Sequence, residues 1–181
     1  MRIISGKFKG RHLEVSKKLS ARPTTDFAKE GLFNLLNNRI DFEDIRVLDL
    51  FAGTGSIGIE FISRGCKEVT TVELNEKNCA SIRKACNILQ IDNLLLYRAD
   101  VFKFISNCHT RFDVIYADPP YDSDQIVALP DLIIQHKLLA NDGLFILEHS
   151  AKQQFDDHPH FDFHRKYGNV HFSIFKQEKE K

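Results

Sequence analysis

The stretch 46–58 constrains this chain more than any other. Val47–Phe51 is an apolar run of strand length, and Ser56–Arg64 sets Ile57, Phe61 and Ile62 on one side of a helix. Between the strand and the bulk of the helix lies Gly53-Thr54-Gly55-Ser56-Ile57-Gly58, a complete G-x-G-x-x-G pattern at the strand-to-helix turn. Glycine there permits a tight turn and lets the backbone approach a ligand closely. A strand, a glycine turn and a packed helix commit the chain to a parallel crossover, because the helix must return over the sheet before the next strand begins.

The remaining pattern agrees with an α/β chain. Glu68–Leu74, Leu94–Arg98, Phe112–Ala117 and Gly143–Glu148 read as further strands. Helices are expected over Glu76–Gln90 and over Ile126–Leu139, the latter broken at Pro130. Phe161–Tyr167 and Val170–Phe175 flank Gly168-Asn169 and read as a closing antiparallel hairpin. Residues 2–15 alternate loosely around Gly6 and Gly10, as a small β-hairpin does. Arg22-Pro23-Thr24-Thr25 is an extended linker. A helix then starts at Asp26, with Thr25 or Asp26 as its cap and a stripe of Phe27, Ala28, Gly31, Leu32, Leu35 and Leu36. With 181 residues and no internal repeat, the expectation is a single domain. A hairpin and linker occupy residues 1–24, and a mostly parallel sheet with helices on both faces occupies 25–181.

Acidic residues fall at the ends of the strands, where open α/β sheets bind ligands. Glu73 ends the second strand and suits the hydroxyls of a ribose. Asp100 follows the third strand and suits either an adenine amino group or a helix cap, with Val101 and Phe102 able to flank a ring. Asp49 sits inside a buried strand, where a carboxylate needs amide or ammonium partners. The glycine loop or the amino-acid portion of a cofactor would supply them.

Asp118-Pro119-Pro120-Tyr121 ends the fourth strand. The exocyclic amine of a nucleobase is a poor nucleophile, since its lone pair is delocalised into the ring. Asp118 and the main-chain carbonyl of Pro119 can accept its two hydrogens and turn that lone pair toward a methyl donor. Pro119 and Pro120 fix φ, so the acceptors are placed at little entropic cost. Tyr121 can stack on the base. Together with the glycine loop, the motif points to alkylation of a base amino group.

Formal net charge is zero, yet residues 1–30 hold eight Lys and Arg against three Asp and Glu. A basic arm on an otherwise acidic domain steers toward phosphates. Cys66, Cys79, Cys86 and Cys108 form no CxxC pair and read as reduced thiols of a cytoplasmic protein. His158, His160 and His164 lack zinc-ligand spacing, and no metal is expected. No apolar run has membrane-spanning length.

These residues bring out a resemblance to the RsmD-type 16S rRNA (guanine-N2)-methyltransferases, extending over nearly the whole chain. Its more specific blocks are Arg2-Ile3-Ile4-Ser5-Gly6-Lys7-Phe8-Lys9-Gly10-Arg11, similar to that family's basic hairpin, and Arg22-Pro23-Thr24-Thr25-Asp26 with Glu30, Leu32, Phe33 and Asn34. Leu48–Gly55 resembles its S-adenosylmethionine loop and Asp118–Tyr121 its catalytic motif; these two are shared by many amino-group methyltransferases. The resemblance implies a Rossmann-like methyltransferase fold, S-adenosylmethionine as donor, and a guanine of small-subunit ribosomal RNA as acceptor. It implies catalytic roles for Asp118, Pro119, Pro120 and Tyr121. It implies donor contacts from Asp49, Phe51, Ala52, Gly53, Thr54, Gly55, Glu73, Leu74, Asp100 and Val101. RNA contacts are expected from Arg2, Lys7, Lys9, Arg11 and Arg22. No separate target-reading domain is visible, which suits a small-subunit particle better than naked duplex DNA.

Three other readings fit parts of the sequence. An adenine-N6 methyltransferase shares Asp118–Tyr121. A dinucleotide-dependent oxidoreductase shares the glycine loop and Glu73 but leaves Asp118–Tyr121 unused. A non-catalytic RNA-binding assembly factor would keep a vestigial cofactor site, and the intact Asp118 and glycine loop argue against such decay.

Overall fold

In the computed structural model, residues 1–13, 25–120 and 124–177 are described. The chain runs α1 (Asp26–Asn37), β1 (Arg46–Leu50), α2 (Ser56–Ser63), β2 (Glu68–Glu73), α3 (Glu76–Leu89), β3 (Leu94–Arg98), α4 (Val101–Asn107) and β4 (Phe112–Ala117). A 3-10 turn (Asp124–Ala128) follows, then α5 (Leu129–Gln135), β5 (Leu139–His149), β6 (Phe161–Tyr167) and β7 (Val170–Lys176). The seven strands form one sheet in the order β3-β2-β1-β4-β5-β7-β6. The first five are parallel, while β7 is antiparallel to both β5 and β6. The strand order reverses between β1 and β4, and ligands of open α/β sheets bind beyond the strand ends at such a point.

Central strands buried on both faces explain why β1 and β4 read as unbroken apolar runs. On one face Leu32, Phe33 and Leu36 of α1 and Phe61 of α2 pack with Val47, Val114 and Ile146. On the other, Ile105 of α4 and Leu129 and Ile133 of α5 pack with Leu48, Ile115 and Leu147. Thr25 caps α1, its Oγ1 accepting from Ala28 N at 3.2 Å.

Several expectations need correction. Pro130 does not break a helix; it lies in the first turn of α5, where its missing N–H costs nothing, and the preceding turn is 3-10. Helix α4 is additional to the expected helices, being seven residues long with two buried side chains and too short to show a period. Phe27 points outward, 64% exposed, edge-on to Tyr167 at 6.0 Å, and Phe33 takes the inward place instead. Strand β5 begins at Leu139 rather than Gly143, through a register shift against β4 with Asp142 at φ 60°.

The N-terminal segment does fold back on itself. Leu13 N donates to Met1 O at 2.9 Å and Ile3 N to Arg11 O at 3.0 Å, but the ladder amounts to one bridge, Arg2 with His12. Its anchor is Glu60 of α2, which is fully buried. Glu60 Oε2 accepts from Ile4 N at 2.8 Å, and Oε1 from Ser5 N at 3.0 Å and Arg64 Nε at 3.0 Å. Lys29 Nζ lies 3.6 Å from Glu60 Oε2 and donates to Arg2 O at 2.6 Å and Ser56 Oγ at 3.0 Å. Burial lowers the Lys29 pKa, opposed by the Glu60 and Asp26 charges. Gly6 fits because a Cβ there would fall 1.7 Å from Ser63 O.

Candidate active site

A cavity of about 970 Å³ opens at the carboxyl ends of the parallel strands. The β1–α2 loop forms one wall. Gly53 and Gly55 take positive φ (53° and 74°), and Gly55 N donates back to Ala52 O at 2.8 Å. Phe51 also lies in the left-handed region, at φ 58°. A side chain at Gly55 would press on Ile82 Cγ1 at 2.9 Å, and one at Gly58 would lie 3.0 Å from Asp49 Oδ2. The turn therefore needs glycine for backbone conformation at Gly55 and for close packing at Gly58.

Carboxylates brace this loop. Glu73 Oε2 accepts from Gly53 N and its Oε1 from Asn75 N, both at 2.7 Å, tying the β1–α2 and β2–α3 turns together. Asp49 Oδ2 accepts from Gly58 N at 3.1 Å, whereas its buried Oδ1 has no hydrogen-bond partner among the described residues. Burial, joined by the Glu73 charge, raises the Asp49 pKa to about 7 against the pull of the Gly58 amide. Asn78 Oδ1, also on the cavity wall, is buried without a partner. Acceptors buried in this way suit a ligand with ammonium and hydroxyl donors. Asp100 caps α4, accepting from Lys103 N at 3.0 Å, so the helix-cap role is real. Leu74, 62% exposed, and Val101 offer apolar surface on the same cavity wall.

The opposite wall comes from β4 and β5. Asp118 and Pro119 stand at the end of β4, with Asp118 half-buried, Pro119 buried and Pro120 exposed. Asp118 N donates to Leu50 O at 3.4 Å, which sets the motif against the end of β1. The residues expected to hold the donor, apart from Gly55, line this one cavity together with Asp118, Pro119 and Pro120. Gly55 shapes the turn from behind. Tyr121 and Arg22 lie outside the described residues.

The cavity also contains residues not singled out from the sequence. Tyr116 donates from its hydroxyl to Glu148 Oε2 at 2.5 Å, and both are almost fully buried. Lys152, Lys166 and His171 add cationic or titratable groups on the β5 and β6–β7 side. Glu148 is the next-to-last residue of β5, and an acidic residue near a strand end is the one signal of it that the sequence carries. Arg2, Lys7, Lys9 and Arg11 are exposed but do not line the cavity. Lys7 N and Phe8 N bond Ser63 at the far end of α2, roughly 10 Å from Ser56 at 1.5 Å rise per residue.

Residues 1–176 match the family described as Conserved hypothetical protein 95, the RsmD family. The chain belongs to that family. YlbH of Bacillus subtilis is 36% identical over 156 residues, 84% of each chain. Ribosomal RNA small subunit methyltransferase D of Escherichia coli is 28% identical over 181 residues, 98% of this chain and 90% of that one. The solved structure of yhhF from Escherichia coli superposes with a TM-score of 0.86 at 26% identity, covering 99% of both chains. The RsmD-family chain described here is thus a methyltransferase whose donor is S-adenosylmethionine, on a Rossmann-like sheet closed by an antiparallel hairpin. The oxidoreductase and non-catalytic readings are set aside. Among the described residues, no helix is long and apolar enough to cross a membrane, and no cluster of His, Cys, Asp and Glu could hold a metal ion.

Proposed function

We propose that this methyltransferase modifies the exocyclic N2 of a guanine in small-subunit ribosomal RNA, within a subunit particle in the cytoplasm. Methylation of ribosomal RNA is supported by family membership and by relatives named for that activity. The observation that carries an amino-group target is Asp118-Pro119 at the end of β4, sharing one cavity with the glycine loop of β1. S-adenosylmethionine, when bound, supplies an electrophilic methyl group. Asp49 Oδ1 suits its ammonium, Glu73 its ribose, and Leu74, Asp100 and Val101 its adenine. Asp118 and the Pro119 carbonyl accept the two amine hydrogens, so the nitrogen lone pair is directed rather than delocalised. The amine loses one proton as or after it is alkylated, so no strong base is required, and orientation and fixed dipoles supply most of the acceleration.

The test is methyl transfer from labelled donor to unmodified small subunits, followed by nucleoside identification. N2-methylguanosine supports the reading; N6-methyladenosine would replace guanine with adenine. Asp118→Ala should lower turnover roughly 10²–10³-fold while donor affinity survives, as when one oriented transition-state hydrogen bond is removed. Near-normal turnover in that variant would remove Asp118 from its role.

A further inference from the structure

Glu148 is a buried carboxylate on the wall of the donor cavity, and neither the glycine loop nor the Asp118 motif accounts for it. It is the next-to-last residue of β5, beside the end of β4: Ala117 pairs with Leu147, so Asp118 and Glu148 fall one step further along neighbouring parallel strands. Tyr116, two residues before Asp118, reaches Glu148 with its hydroxyl at 2.5 Å, which puts Tyr116 and Glu148 on the same face of the sheet. Strand alternation brings Asp118 to that face too. Two carboxylates therefore stand side by side where the acceptor base must enter. The Tyr116 hydroxyl donates to Glu148, which helps fix the rotamer of that carboxylate. A carboxylate has about four lone-pair positions and can accept from more than one donor at once.

The chemistry of the base edge gives this pair a meaning. Guanine presents two adjacent donors, ring N1–H and the 2-amino group. Adenine presents its amine beside a bare N1 lone pair. We propose that Glu148 accepts from guanine N1–H while Asp118 holds the 2-amino group, making Glu148 the residue that selects guanine over adenine. The inference rests on the guanine reading above. A carboxylate facing adenine N1 would oppose lone pair with lone pair, and a buried acceptor left without its donor is costly. Sites built around a substrate N–H reject analogues lacking it far more strongly than apolar pockets reject a missing methylene.

The test uses small-subunit RNA assembled into particles, carrying either guanine or 2-aminopurine at the nucleotide where the methyl label maps. 2-Aminopurine keeps the 2-amino group but has no N1–H. Wild-type enzyme should prefer guanine by roughly 10²-fold or more. In Glu148→Gln the amide can donate to the bare N1, so the guanine-to-2-aminopurine rate ratio should fall at least tenfold, roughly, with donor affinity and melting temperature retained. Tyr116→Phe, which removes one hydrogen bond that positions Glu148 and keeps the carboxylate, should lower the same ratio several-fold and gives a second route if the glutamine variant does not fold. A ratio unchanged in folded variants, with N2-methylguanosine as product, overturns the role of Glu148 alone. N6-methyladenosine from the wild-type enzyme overturns the guanine reading and this inference together.

Discussion

Replacing Glu60 with alanine should be among the most damaging single changes to this fold, although Glu60 does not line the cavity. Its carboxylate is fully buried and serves the Ile4 and Ser5 amides, Arg64 Nε and Lys29 Nζ. Deleting it leaves an ammonium that is 1% exposed with Arg2 O and Ser56 Oγ as its hydrogen-bond acceptors among the described residues and the Asp26 charge nearby, and strips two main-chain amides of their acceptor. Removing one partner of a buried ion pair costs about 3–5 kcal/mol, because the other charge stays behind. In a chain of this size each kcal/mol lowers the melting temperature by about 2–4 °C, so the expected drop is roughly 6–20 °C.

Thermal and urea unfolding with limited proteolysis would measure this. The earliest cut should move into the first dozen residues, since Ile4 and Ser5 lose their hold on α2. A double variant, Lys29→Met with Glu60→Gln, should recover much of the loss, because it removes the stranded charge as well as its partner. A single-variant loss below about 1 kcal/mol would refute the argument, since that is the range of an exposed pair. Failure of the double variant to improve on Glu60→Ala would mean that the amide contacts, not the charge, dominate.

Three further outcomes follow from the site. Asp49, raised to about 7 by burial, is protonated in part at neutral pH in the ligand-free protein. The carboxylate form attracts an ammonium, so donor affinity should rise as pH increases through about 7, and Asp49→Asn should bind more weakly and lose that rise; a pH series of calorimetric titrations decides it. The same shift makes the ligand-free fold lose stability from Asp49 as pH climbs from the ordinary carboxylate range toward 7. Glu73→Ala should weaken donor binding by about 1.5–3 kcal/mol for each charge-assisted bond removed, and should lower the melting temperature because Gly53 and Asn75 lose their acceptor; unchanged donor affinity would make Glu73 a loop brace only. Neutralising Lys7, Lys9 and Arg11 together should flatten the salt dependence of RNA binding by somewhat under one log–log unit for each phosphate that no longer meets a cation, leaving melting unchanged; an unchanged slope would place RNA docking elsewhere.

The sheet is legible in the sequence because period and context agree there. Val47–Leu50 and Val114–Ala117 are buried on both faces, and an unbroken apolar run between turn residues has few other uses. The glycine loop is legible for a similar reason: glycine is the residue best suited to the φ of Gly55 and to the closeness of Gly58 to Asp49. Helix α4 and the opening role of Pro130 are not, since short elements are fixed by tertiary packing rather than by a repeating pattern. The pairing of Glu148 with Tyr116 is hidden in the sequence because it is a cross-strand hydrogen bond between residues 32 apart in the chain. Lys29 belongs to the same class: counted among the arm's cations, it is buried and paired with Glu60 rather than offered to a phosphate.

The zero net charge conceals a division of labour. Asp49, Glu73, Asp100, Asp118 and Glu148 line one cavity, and of the basic Lys and Arg side chains only Lys152 and Lys166, among the described residues, join them on its wall. Such a cavity favours a small cationic donor and repels the phosphates of an RNA, so only a base turned away from its backbone fits there. The backbone must be met by cations, and those among the described residues include Lys152 and Lys166 on the cavity wall and the exposed arm tip at the far end of α2. Donor attraction acts over a few ångströms within a partly buried site, where salt screens little, whereas surface cations and phosphates are screened within about 8–10 Å. Raising salt should therefore separate the two steps, loosening RNA while leaving donor affinity nearly constant. If both fell together, the acids of the cavity would be acting through the solvent-exposed field rather than through direct bonds to the donor, and their assigned roles would fail as a group.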